Sequence, residues 1–259
     1  MPDVWASGDA YEPYVGRWSR LVTAEFVDWL DLPGDRRWLD VGCGTGALSS
    51  VIAARCEPAE VLGVDPSEAY VAWAAAHVED CRVRFAVADA THLPAGPFDA
   101  VVSGLVLNFV PDAAAAAAAM RDAAPHGLVA AYVWDYAGRM ELMRHFWDAA
   151  VALDSAAEEL DEGVRFPICH PDRLEAVWRG AGLSDVASRP IDVPTVFRDF
   201  DDYWSPFLGG QAPAPGYAMS LTEQRRAALR ELIRERLPVA GDGSISLIGR
   251  AWAVRGAAA

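Results

Sequence analysis

LDVGCGTG, residues 39–46, is the stretch that decides the fold. The short apolar run around it, WLDVG, reads as a strand and carries an acid, Asp40. Glycines follow at positions 42, 44 and 46. Glycine lets a backbone come close to a ligand and adopt turns that other residues resist. The next residues, GALSSVIAARC (46–56), read as a helix whose first turn offers unpaired N–H groups. In an α/β sheet, a strand–glycine loop–helix unit sits at the carboxyl ends of the strands, where ligands bind.

The unit repeats downstream. EVLGVDPS (60–67) is a strand and turn, and SEAYVAWAAAHVED (67–80) is a helix that begins at Ser67. VRFAVADA (83–90) is a third strand and FDAVVSGLVLNFV (98–110) a fourth, which enters a turn near Ser103 and Gly104. Pro111 and Asp112 head an alanine-rich helix with favourable capping chemistry, and GLVAAYVWDY (127–136) is a fifth strand. Nearly continuous apolar strands alternating with helices predict a parallel sheet covered on both faces. Upstream, residues 11–30 carry apolar residues at helical spacing.

After residue 136 the rhythm changes. GRMELMRHFWDAAVALD and PDRLEAVWRGAGL read as helices. DVASRPIDVPTVF is a proline-interrupted strand and therefore an edge strand. FDDYWSPFLGGQAPAPGYAMS reads as a lid or loop, and SLTEQRRAALRELIRERL as a helix with a capping box of Ser220 and Glu223. GSISLIGRAWAVRG alternates as a final strand. The division is one domain over 1–259, with a cofactor-binding half at 10–136, a substrate-side elaboration at 137–242 and the last strand at 243–256.

The chain carries a net charge of −15, and all 22 of its basic residues are arginine. Such a surface repels nucleic acid at long range. No apolar run approaches the roughly 20 residues of a membrane span, and the N-terminus has no signal-peptide pattern. Cys43, Cys56, Cys81 and Cys169 lack metal-ligand spacing, so no metal site is expected. They read as free thiols, which fits the cytoplasm. Monomer and homodimer both remain open.

Gly42-Cys43-Gly44-Thr45-Gly46-Ala47 also satisfies a dinucleotide pattern, with Asp65 at a distance suited to a ribose. Asp40 argues against that reading. A carboxylate beside the first glycine would repel a pyrophosphate but suit a ligand bearing a cation. LDVGCGTG resembles the glycine-rich signature of class I S-adenosylmethionine (SAM)-dependent methyltransferases. GVDPS (63–67), VADATHLP (87–94) and FDAVVSGLVLNFVPD (98–112) resemble that family's next three motifs in the same order. The resemblance implies a Rossmann-like sheet, mostly parallel with an antiparallel C-terminal strand, and SAM as cofactor with S-adenosylhomocysteine (SAH) as product.

The same resemblance implies roles for individual residues. Asp65 accepts from both ribose hydroxyls, and Pro66 and Ser67 border the adenine. Asp89 and Ala90 meet the adenine edge, while Ser103, Gly104 and Leu105 line the methionine end. Asp40 faces the ammonium, and Gly42, Cys43 and Gly44 contact the cofactor through the backbone. Gly46 serves contact or helix packing alone. In YEPYVGRWSR (11–20), Arg17 pairs with the methionine carboxylate or lies on a solvated face, and Tyr14 and Trp18 wall the site.

The acceptor side is less determined. No catalytic base stands out; His145, His170 and Tyr136 are candidates, each with a plain structural alternative. Phe146, Trp147, Phe166, Phe197, Tyr203, Trp204 and Phe207 form either an aromatic pocket for a small organic acceptor or core. A methyltransferase-fold protein that binds SAM in a non-transferase or regulatory role is the alternative, and an NAD-dependent oxidoreductase a more distant one. The absence of an N/D-P-P-Y/F pattern after the fourth strand, which reads SGLVLN, disfavours nucleic-acid substrates.

Overall fold

The computed structural model of the chain describes residues 15–209 and 212–259. Seven strands form one sheet: β1 Arg37–Val41, β2 Glu60–Asp65, β3 Val83–Val87, β4 Ala100–Gly104, β5 Leu128–Trp134, β6 Ser184–Phe197 and β7 Ile245–Ala257. Their order is β3-β2-β1-β4-β5-β7-β6. Strands β1 to β5 pair in parallel, with Asp40 opposite Gly63 on one side and Val102 on the other. β7 runs antiparallel to β5: Asp135 N–H donates to Arg250 O, and Ala258 N–H to Gly127 O, both at 2.9 Å. Chain order reverses between β1 and β4, so the crevice at their carboxyl ends is the switch point of the sheet.

The expected elements recur as helices α1 Arg17–Leu30, α2 Ala47–Arg55, α3 Glu68–His77, α4 Ala113–Ala123, α5 Glu141–Leu153 and α6 Pro171–Gly180. Ser67 caps α3 by accepting from Tyr70 N–H, and Asp112 caps α4 by accepting from Ala115 N–H. β6 lies at the sheet edge, the position its Pro190 and Pro194 require.

Two expectations need correction. The stretch 200–220, read as a lid or loop, contains a helical turn at Phe200–Trp204 and a helix, α7, at Pro213–Ser220. The next helix, α8 (Glu223–Arg236), is capped by Thr222, whose Oγ1 accepts from Arg225 N–H at 3.3 Å, and not by Ser220. Thr222 is the extended residue immediately before the first turn, so its hydroxyl reaches the free donors, whereas Ser220 still belongs to α7.

Residue contacts divide the chain into two units. One comprises 22–133, 168–191 and 251–259. Its interior is built by Trp38, Leu39 and Val41 of β1, Val101 and Val102 of β4, Phe26 of α1 and Ile52 of α2, all fully buried. The other comprises 1–21, 134–167 and 192–250. There α5 buries Leu142, Met143, Phe146 and Trp147 along one face. Phe146 stacks on Phe207 at 4.6 Å, Tyr203 packs against Phe207 at 5.4 Å, and the Tyr203 hydroxyl donates to Leu142 O at 2.8 Å. Phe146, Trp147, Phe197, Tyr203 and Phe207 are fully buried and Trp204 nearly so. These aromatics therefore form the interior of this unit rather than the walls of an open pocket.

Candidate active site

The loop after β1 is sewn to the end of β2. Gly42 and Cys43 N–H both donate to Val64 O, at 2.7 and 2.9 Å. Gly42, Gly44 and Gly46 all take positive φ, +74°, +52° and +81°, which glycine adopts without strain. Their neighbourhoods differ. A side chain at Gly46 would strike the Phe85 ring at 2.9 Å, so Gly46 serves packing. A side chain at Gly44 would meet nothing within 4 Å, so open space lies above that loop residue. Gly46 gives α2 no side-chain cap, so the helix begins without one.

Two carboxylates border this loop in opposite conditions. Asp65, at the end of β2, accepts from Gly44 N–H at 3.0 Å and from Ser67 N–H at 2.9 Å. A carboxylate offers about four lone-pair sites, so two remain for the adjacent hydroxyls of a ribose. Asp40 is only 1 % exposed. Its Oδ2 accepts from Ser49 Oγ at 2.7 Å, while its buried Oδ1 has no partner among the described residues. Burial raises its carboxyl to about 7; hydrogen bonds from Ser49 pull against that rise and the charge of Asp65 adds to it. Burial, aided by Asp40 and Asp65, also pushes the Cys43 thiol far up, so it stays protonated. A cationic group would satisfy Oδ1 of Asp40, whereas a pyrophosphate would face two carboxylates. The residues present therefore fit a positively charged nucleoside.

The other expected contacts are placed less uniformly. Pro66 is exposed, Ser67 caps α3, and Ala90 is half-buried at the end of the third-strand segment. Asp89 is turned into its own loop, where Oδ1 accepts from Thr91 N–H and Thr91 Oγ at 2.7 and 2.6 Å. Those bonds and the neighbouring His92 hold its carboxyl near 2. Ser103 is fully buried and donates to Val41 O at 2.8 Å, so its hydroxyl ties β4 to β1. Gly104 rests on the Tyr132 hydroxyl, 2.6 Å from where a side chain would begin, and that hydroxyl shares a 2.8 Å hydrogen bond with Thr23. Leu105 holds φ +60°, a strained setting for leucine, pinned by its N–H bond to Tyr132 O.

Sequence reasoning missed the Ser49 bond to Asp40 and the Tyr132 platform under Gly104, and it noted Asn108 only as the residue that follows the fourth strand. Asn108 is 9 % exposed, with an Nδ2 that is buried and without a partner among the described residues. Spacing carries no signal for the first two, because each joins residues from separate elements. An asparagine directly after an apolar strand end was the available hint of the third.

Arg17, Trp18, Tyr136 and His145 belong to the second unit. Tyr14 lies outside the described residues. Arg17 Nη1 donates to Asp202 Oδ1 at 3.2 Å, and its guanidinium lies over the rings of Trp18 and Phe197 at 4.4 and 4.9 Å. Trp18 packs edge-on against Phe197 at 5.5 Å. Tyr136 is buried and packs against Phe166 at 5.8 Å, and its backbone oxygen accepts from Arg144. His145 is half-buried on α5, where burial lowers its pKa. His170, in the first unit, caps α6: its Nδ1 accepts from Asp172 N–H at 3.3 Å.

A profile describing a methyltransferase domain matches residues 39–127. The chain is 30% identical over 239 residues to trans-aconitate 2-methyltransferase of Streptomyces avermitilis, covering 86% of each protein. The chain belongs to the class I SAM-dependent methyltransferases. It is also 36% identical over 96 residues to phosphoethanolamine N-methyltransferase 3 of Arabidopsis thaliana, covering 36% of this chain and 19% of that one. Phosphoethanolamine N-methyltransferase 2 of Haemonchus contortus, solved with SAM bound, superposes with a TM-score of 0.59 at 17% identity, over 96% of this chain and 56% of that one. The class I methyltransferase described here uses SAM and methylates a small organic acceptor. Among the described residues, no helix is long and apolar enough to cross a membrane.

Proposed function

We propose that this methyltransferase transfers methyl from SAM to a carboxylate oxygen of a small organic acid. The observation that carries this reading is the reach of the similarities. The trans-aconitate enzyme matches over 86% of both proteins, whereas the phosphoethanolamine enzyme of Arabidopsis thaliana matches over 36% of this chain. A match of the first kind includes the part of the chain beyond the cofactor motifs.

When bound, SAM supplies a methyl on a sulfonium, open to in-line displacement. Asp65 takes the ribose hydroxyls on its two free lone-pair sites. Asp40 directs Oδ1 at the ammonium, and Gly42, Cys43 and Gly44 approach the ligand through the backbone. Pro66, Ser67, Asp89 and Ala90 border the adenine, with Asp89 leaving its own loop to do so. Gly104 and Leu105 line the methionine end; Ser103 acts from below by holding β4 to β1. A carboxylate acceptor is already ionised at neutral pH. The enzyme then needs position more than a base, and position alone can remove up to roughly 7–11 kcal/mol of barrier. The settings of His145, His170 and Tyr136 support that reading, since His170 is occupied as a helix cap and Tyr136 as packing. We also place the enzyme in the cytoplasm, as one methyltransferase domain over 1–259 acting as a monomer or homodimer without nucleic acid; its charge of −15 supports the last point.

The test is to incubate the purified chain with methyl-labelled SAM and a panel of trans-aconitate, cis-aconitate, phosphoethanolamine and phenols. The expected product is a methyl ester that releases its label in mild alkali. A base-stable label on an amine or a phenol would overturn the reading.

A further inference from the structure

We propose that Arg17 anchors the carboxylate of the methyl acceptor, an assignment that rests on the acidic acceptor argued above. Arg17 is engaged on one edge only, through Nη1 to Asp202, while Trp18 and Phe197 hold its plane. The other edge, Nε and Nη2, is buried and has no hydrogen-bond partner among the described residues. Those two N–H groups form the planar fork that matches both oxygens of a carboxylate. Trp18 Nε1, on the ring beneath this guanidinium, is a further buried donor without a partner among the described residues, as is Thr195 Oγ1. Thr195 lies two residues before Phe197 on the inward face of β6. Of the seven buried side-chain nitrogen and oxygen atoms left unpaired among the described residues, three belong to Arg17 and Trp18, and a fourth, Thr195 Oγ1, lies on the strand that carries Phe197. The guanidinium cannot swing its free edge away without losing Asp202 and the ring contacts. An anion with several oxygens satisfies this set, and a neutral or cationic ligand leaves the fork unmet.

A carboxylate can come from two sources, the acceptor or the methionine end of the cofactor. Sequence reading assigned Arg17 to the second; the structure favours the first. Asp40, Gly44 and Asp65, which fit the nucleoside, all belong to the unit that holds residues 22–133. Arg17, Trp18, Thr195, Phe197 and Asp202 all belong to the other unit. They also lie outside residues 39–127, the part that the general methyltransferase profile describes.

Calorimetry on the full chain separates the sources. Trans-aconitate is titrated into the SAH complex of wild type, Arg17→Gln and Asp202→Asn, and SAH is titrated into each protein. We expect Arg17→Gln to weaken trans-aconitate at least tenfold, with SAH affinity within about twofold of wild type. Asp202→Asn keeps the free fork and is expected to retain trans-aconitate binding. Two wild-type arms do not depend on the folding of any variant: the trimethyl ester of trans-aconitate should not bind, and SAH lacking its carboxyl should bind like SAH. Unchanged trans-aconitate binding in a folded Arg17→Gln protein overturns the assignment. Loss of SAH binding in Arg17→Gln, with weak binding of decarboxylated SAH to wild type, gives Arg17 to the cofactor instead. If wild type binds no carboxylate at all, the acceptor class itself falls, and this assignment with it.

Discussion

Replacing Asp40 with Asn should change stability and cofactor binding in opposite directions. In the ligand-free chain the Asp40 carboxyl is raised by burial from 3.8 to about 7. The unfolded chain releases this proton near pH 4, whereas the folded chain keeps it until about pH 7. Between those values the folded state binds more protons, so wild-type stability falls as pH rises through the window and levels off above it. A shift of about three units corresponds to roughly 4 kcal/mol at pH 8. Asparagine cannot ionise, so Asp40→Asn avoids that cost and loses about 1 kcal/mol from a weaker bond to Ser49. The variant should therefore be more stable than wild type by roughly 2–3 kcal/mol at pH 8, and by only about 0.5 kcal/mol at pH 5. Binding should move the other way. An ammonium beside Oδ1 favours the ionised carboxylate, so SAH binding to wild type should release a proton near pH 6.5 and tighten as pH rises toward 8. Loss of a charge-assisted contact costs about 1.5–3 kcal/mol, so the variant should bind SAH roughly 10- to 150-fold more weakly at pH 8. Thermal unfolding at pH 5 and pH 8, with SAH calorimetry in two buffers of different ionisation enthalpy, measures each quantity. An Asp40→Asn protein that binds SAH like wild type, with no proton released by wild type, would refute the assignment of a cation to this carboxylate.

Gly44→Ala and Gly46→Ala should fail differently. Gly44→Ala costs roughly 1 kcal/mol of backbone strain but fills the open space over the loop, so SAH calorimetry should show a loss of tenfold or more beside a small drop in Tm. Gly46→Ala presses on Phe85 and should cost about 1–3 kcal/mol in denaturant unfolding, with SAH affinity largely kept in the folded fraction. Ser103→Ala removes the bond to Val41 O and should cost about 1–2 kcal/mol while SAH affinity stays within about threefold, because the hydroxyl points into the sheet. Glu162, fully buried beside the Trp147 indole, has its carboxyl raised to about 8 by burial. Its burial weakens the fold progressively between about pH 4.5 and 8, so Glu162→Gln should flatten the wild-type decline in Tm across that range.

The cofactor half was legible because its signals are local. A strand that is buried on both faces must be apolar throughout, and a glycine that comes close to a ligand has no substitute. WLDVG, the alternate glycines and Asp65 could thus be read directly, and the structure places them together. Ser67 and Asp112 were legible for the same reason, since a cap acts on donors two or three residues away. Contacts formed by distant residues were not. Ser103 was assigned to the cofactor by resemblance, and its bond to Val41 O, 62 positions away, had no local signal. The stretch 200–220 was read as loop because proline and glycine dominate its composition. Phe200, Tyr203, Trp204 and Phe207 nevertheless recur at intervals of one to four residues, and burial of those rings fixes helical turns there.

The two acids of the glycine loop show why composition alone misleads about charge. They stand at the carboxyl ends of adjacent strands, and both are largely buried. Asp65 is held by two backbone N–H groups, those of Gly44 and Ser67. Burial holds the Asp40 carboxyl up near 7, with Oδ2 on the Ser49 hydroxyl and Oδ1 without a partner among the described residues. On the reading proposed above, a negative charge at Asp65 makes a second one at Asp40 more expensive, and an ammonium beside Oδ1 would offset that cost. A dinucleotide's pyrophosphate would have to enter against the first charge and could do nothing for the second. On that reading, discrimination between nucleosides comes from how each carboxylate is bonded and buried, which the glycine pattern, shared with many folds, does not itself determine.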